Sequence, residues 1–193
     1  QGADTMKRLK QKKQSTEKGG EVSMKVIEYF EQTNAMQKLL QEQIVQSEWR
    51  AAKYLYEVLA QGKLKERYGE STRLLLLVEE DVLLAFCTLA ERDEIAEEET
   101  EAGMKPWIGF VYTYPEHRGN RYSEKLIQHA CAFAEKDGYE KVYVSSNEVG
   151  LYEKYGFVFL KKLHTVWGEE TQVFEKRVRN VRKCCDYNER TGG

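Results

Sequence analysis

Apolar positions along this chain change period several times, and each change marks an element. Residues 25–30 hold a short strand-like run. Between residues 34 and 62 the spacing turns helical: Met36, Leu39, Leu40, Ile44 and Val45 make one stripe, and Trp49, Ala52, Leu55, Tyr56 and Leu59 a second. Ser47 and Trp49 open the second helix and Gly62 closes it. Residues 74–79 and 82–90 read as two strands joined by a tight turn at Asp81. Residues 93–105 carry Glu94, Glu97, Glu98, Glu99 and Glu101 and read as a solvated acidic loop. A strand at 106–112 follows, then a helix at 123–136 with Leu126, Ile127, Ala130, Cys131 and Ala134 on its buried side, ending near Gly138. A strand at 139–145, a short helix at 149–155 stopped by Gly156, a strand at 157–163 and a last one within 165–178 complete the series.

This succession predicts an α/β (α+β) fold, and 193 residues with 41% hydrophobic content suit one domain with a core of useful size. The polar, lysine-rich residues 1–23 read as a disordered tail or leader, residues 24–178 as the domain, and residues 179–193 as a second tail. Met24, directly before the first strand, is a candidate start. A net charge of −2 gives no global field to recruit nucleic acid. The apolar run at residues 74–78 is strand-sized, and no run approaches the roughly 20 residues that cross a bilayer, so no membrane partner is expected. Cys87 and Cys131 sit in apolar patterns as buried thiols, and Cys184-Cys185 has no further ligand at metal spacing, so no metal is expected. This cysteine usage, without a secretory leader, fits the cytoplasm.

The chemistry concentrates in Pro115-Glu116-His117-Arg118-Gly119-Asn120-Arg121-Tyr122-Ser123, between an apolar strand and a helix. The first turn of a helix carries N–H groups without intrahelical acceptors, and its dipole favours negative charge. Arg118 and Arg121 add two positive charges, so the natural guest is a diphosphate. Further on, Leu151-Tyr152-Glu153-Lys154-Tyr155-Gly156-Phe157 places Tyr152 in a short helix before a new strand.

The pairing of these segments, over roughly residues 74–174, resembles the GNAT superfamily of acetyl-CoA-dependent acyltransferases. The resemblance implies a mixed, mostly antiparallel sheet that splays between two parallel strands, here 107–113 and 139–145, where acetyl-CoA wedges in. It gives the diphosphate to Arg118, Gly119, Asn120, Arg121, Tyr122 and Ser123, and the pantetheine arm to backbone groups of Val111, Tyr112 and Thr113, with Asn147 at the strand exit. It makes Tyr152 the general acid for the departing thiolate, with Tyr155 packed against the sheet. Arg121 stands where the family usually has glycine, so it must point its side chain away or form a direct salt link. Glu91, at the end of a hairpin strand, is the candidate general base, with Asp93 and Glu116 as alternatives.

His129 and His164 are isolated and read as structural. Trp49 and Tyr54 suit an acceptor pocket and Tyr56 the core. The segment 150–156 looks like that of small-molecule acetyltransferases, including aminoglycoside-type enzymes, and the acidic loop is compatible with a polyamine or aminosugar. The expected activity is transfer of acetyl to a primary amine of a small molecule. Two alternatives stay open: acetylation of a protein lysine or N-terminus, and a non-catalytic acyl-CoA-binding module. Dimers are common in the family, so the resemblance admits a homodimer.

Overall fold

The computed structural model describes residues 23–179; the readings of the two tails and of Cys184-Cys185 lie outside them. The strands are β1 (Met24–Glu28), β2 (Arg73–Glu79), β3 (Val82–Ala90), β4 (Trp107–Thr113), β5 (Lys141–Ser145), β6 (Val158–His164) and β7 (Glu170–Arg177). The α-helices are α1 (Asn34–Val45), α2 (Arg50–Ala60), α3 (Leu64–Tyr68), α4 (Tyr122–Lys136) and α5 (Leu151–Lys154). Thr33 caps α1 by accepting from the Met36 N–H at 3.3 Å. Before α2, the Trp49 N–H donates to Ser47 Oγ at 3.0 Å, which sets Trp49 as the N-cap.

The strands form one sheet in the order β1-β2-β3-β4-β5-β7-β6, antiparallel throughout except at β4–β5. Both faces of its centre are covered, so β2 reads as an unbroken apolar run rather than an alternation. Leu74, Leu76 and Val78 pack in the cluster with Leu40, Ile44, Leu55 and Leu64 of the first three helices. Leu75 and Leu77 face the other way, into the cluster with Leu126, Ile127, Ala130 and Ala134 of α4. Burying each such side chain stabilises by about 1.5–3 kcal/mol.

The parallel pair touches at one register point, Trp107 opposite Tyr143. On its other side β4 carries a bulge. Phe86 pairs with Tyr112 and Thr88 with Gly109, so Phe110 and Val111 together face Cys87. Phe110 takes a positive φ of 47° there. A bulge bends and twists its strand, and β4 leaves β5 along this stretch.

One expectation is corrected. The acidic segment is not simply solvated: Ile95 and Met104 anchor it in a cluster with Trp107, Tyr143, Leu163 and Val173. Its acids are also paired, Glu99 with His164 and Glu101 with Lys161. The last strand begins at Glu170, because residues 165–169 close a turn in which the Thr165 N–H donates to the Glu169 carbonyl at 2.8 Å. No helix among the described residues is long and apolar enough to cross a membrane.

Candidate active site

The gap between β4 and β5 forms a cleft of about 720 Å³. Val111, Tyr112 and Thr113 line one side, Val144, Ser145 and Ser146 the other. Arg118, Gly119, Arg121, Tyr122 and Ser123 line it where α4 begins. The chain reaches α4 through a turn at Pro115–His117 and then Gly119, with φ of 85°, a conformation open to glycine. Asn120 closes this turn from outside the cleft, its Nδ2 donating to the His117 carbonyl at 3.0 Å.

Arg121 is the N-cap of α4, with φ 58° and ψ 30°, in the left-handed region. That conformation suits glycine better than an L-residue with a side chain. No side chain caps the helix, and its first backbone bond runs from the Lys125 N–H to the Arg121 carbonyl at 3.1 Å, so the N–H groups of residues 122–124 lack acceptors one turn back. The Arg121 guanidinium points to solvent and pairs with Glu124. Arg118 lies across the turn, with Nε donating to the Thr113 carbonyl at 3.2 Å and its guanidinium 5.9 Å from the Tyr112 ring centroid.

Tyr152 lines the same cleft from the inner side. Its ring packs against Phe157, Phe174 and Tyr155 at centroid distances of 5.8, 6.1 and 6.4 Å. The helix carrying it stops where the Phe157 N–H donates to the Tyr152 carbonyl at 3.1 Å. Burial, and secondarily the neighbouring Cys87, pushes its phenol pKa well above the ordinary tyrosine value, against a bond with Ser146 that lowers it. The phenol therefore keeps its proton at neutral pH, as an acid must before it donates. Tyr155 does more than pack: its hydroxyl lies 2.9 Å from Ser123 Oγ and ties α5 to the start of α4.

A second cavity, of about 690 Å³, adjoins the cleft and shares Trp49, Gly109, Phe110 and Ser145 with it. Tyr54, Asp93, Glu94 and Trp167 are among its other walls. Asp93 sits at the junction. Ser145 Oγ donates to its Oδ2 at 2.5 Å, the Glu94 N–H donates to its Oδ1 at 2.9 Å, and a Cβ on Gly109 would lie 3.8 Å from Oδ1. Burial raises the Asp93 carboxyl pKa, with the Ser145 and Glu94 bonds opposing. Glu94 is engaged by Arg67 through Nε at 3.2 Å and Nη2 at 3.3 Å, and by the Tyr68 hydroxyl at 2.5 Å.

Besides Asn120, two more expected site residues lie outside both cavities. Glu91 is drawn the other way, its carboxylate accepting from the Ser71 N–H at 2.9 Å and the Ser71 hydroxyl at 2.8 Å. It lies over Gly69, where any Cβ would come within 2.6 Å of its own Cβ. Asn147 spends both ends of its amide on β7, donating to the Glu170 carbonyl at 3.1 Å and accepting from the Gln172 N–H at 3.2 Å. Sequence reasoning missed Ser145, Ser146 and Trp167, and gave Asp93 only second place. Among the described residues no cluster of histidine, cysteine or acidic side chains could hold a metal ion.

Residues 34–157 match the model of the Acetyltransferase (GNAT) family. No curated protein matches the chain. Among solved structures, a putative GNAT acetyltransferase from Desulfovibrio desulfuricans superposes with a TM-score of 0.59 at 12% identity, covering 81% of this chain and 100% of its own. The GNAT N-acetyltransferase YhbS from Escherichia coli, solved with CoA, gives 0.58 at 13% identity over 85% of this chain and 86% of its own. A spermidine/spermine N-acetyltransferase, SpeG from Vibrio cholerae, gives 0.52 at 16% identity over 80% and 92%. At these identities the likeness is one of fold, and it agrees with the splayed sheet. With the family model spanning well over half of its residues, this chain belongs to the GNAT family of acetyltransferases.

Proposed function

We propose that this enzyme transfers the acetyl group of acetyl-CoA directly to a primary amine of a small molecule, with Tyr152 as general acid. The observation that carries the reading is that the Arg118–Ser123 turn and Tyr152 line one cleft, at the opening between parallel strands. The residues fit the donor. Arg118 and the free N–H groups of residues 122–124 would hold its diphosphate, and backbone groups of Val111, Tyr112 and Thr113, turned from β5 by the bulge, would hydrogen-bond the arm. In the transfer the amine lone pair forms the new C–N bond and the C–S pair leaves with sulfur. The Tyr152 phenol protonates that sulfur and is reprotonated from water, which also takes the surplus proton of the nitrogen.

A cavity of about 690 Å³ favours a small acceptor over a peptide. The likeness in fold to a spermidine/spermine enzyme is compatible with an amine but does not choose one. That Tyr152 lines the donor cleft supports an enzyme over a non-catalytic acyl-CoA-binding module, and the cysteine usage is compatible with the cytoplasm. Tyr152→Phe tests the reading. Turnover, read as CoA release, should fall by about 100-fold or more while acetyl-CoA affinity stays unchanged. Unchanged turnover would remove Tyr152 from the mechanism.

A further inference from the structure

The cavity beside the donor cleft is aromatic on several sides. Tyr54 and Phe110 face one another with planes 20° apart and centroids 6.5 Å apart, Trp49 stands 6.4 Å from Phe110 at 72°, and Trp167 lines the outer part at 62% exposure. Three carboxylates border it, and they are not equivalent. Glu94 is bound by Arg67 and Tyr68. Glu169 stands in solvent, where a charge pair contributes little. That leaves Asp93, next to Gly109 and Ser145 where the two cavities meet.

Resting on the acetyltransferase reading, we propose that this cavity takes an amine joined to a flat apolar body, of the arylalkylamine type. Its ammonium sits at Asp93 and its body lies among Trp49, Tyr54, Phe110 and Trp167. Asp93 accepts one proton from the ammonium, directly or through Ser145 Oγ, and so frees the lone pair that attacks the thioester carbon; the proton then passes to water. Aromatic faces suit both ends of such a molecule, stacking on the apolar body and attracting the cation before it is deprotonated. A polyamine is a poorer fit. Its second ammonium would meet only Glu169, which stands in solvent, because Glu94 is already taken by Arg67.

The test compares phenethylamine, putrescine and ethylamine as acceptors for the full chain with acetyl-CoA. CoA release is measured, and separately the heat of amine binding to the CoA-loaded protein. Phenethylamine should exceed both others by about tenfold or more in kcat/KM and bind most tightly. Trp167→Ala, at an exposed position that does not threaten folding, should raise the KM for phenethylamine several-fold more than that for ethylamine. Putrescine as the preferred acceptor, or indifference to Trp167→Ala, overturns the inference and leaves the acetyltransferase reading standing. Failure to bind acetyl-CoA overturns both.

Discussion

Arg121 occupies a backbone conformation that costs an L-residue about 1 kcal/mol, and its largely exposed side chain is held by Glu124. The cradle at this position is therefore backbone, and Arg118 is the side chain in a position to reach an anion. The two arginines should separate in a titration with CoA. Arg121→Gly keeps the turn and should alter affinity by less than about threefold. Arg118→Ala removes a charge-assisted contact and should weaken binding by about tenfold or more. Equal losses would contradict this division. The turn and Tyr152 were legible in the sequence because each motif is local, a strand exit into a helix or a helix stopped by glycine. The pairing of Asp93 with Ser145 was not, because they meet across 52 residues and only the sheet order brings them together.

At the scale of elements, β4 decides the site. Its bulge at Phe110 and Val111 directs it away from β5, and no pattern of apolar residues announces that extra residue. Helix α3, with five residues and apolar positions only at its ends, is too short for a periodic signal and escaped the sequence reading. Its position accounts for Glu91. The Glu91 N–H donates to the Tyr68 carbonyl at 3.0 Å and its carboxylate accepts from Ser71, so it fastens the α3–β2 connection to the end of β3. The Ser71 bonds hold its pKa below the ordinary carboxylate value. A depressed folded-state pKa stabilises above the unfolded value of about 4.3, and that stability is lost as pH falls through the folded value. Glu91→Gln should therefore lower stability at pH 7 by about 1 kcal/mol or less, since solvent screens the group, and the gap from wild type should close in acid. Turnover should stay within about twofold. Thermal unfolding against pH, with CoA release alongside, checks both, and a collapse of turnover would return Glu91 to the chemistry.

For the whole molecule, the sheet is two antiparallel blocks, β1-β2-β3-β4 and β5-β7-β6, joined at one parallel contact between Trp107 and Tyr143. The order of elements was readable from apolar periods because the strands other than the edge strand β6 bury runs of apolar residues. The line along which they part came from the resemblance, since a missing strand contact leaves no mark in the sequence. A donor bound in that opening would bridge the blocks and bind only the folded chain. Thermal unfolding with saturating acetyl-CoA tests this central claim most directly. At about 100 times its dissociation constant the ligand should stabilise by roughly 2.7 kcal/mol, raising the midpoint by roughly 5–10 °C. An unchanged midpoint would contradict a donor site between β4 and β5, and the proposed acetyl transfer with it.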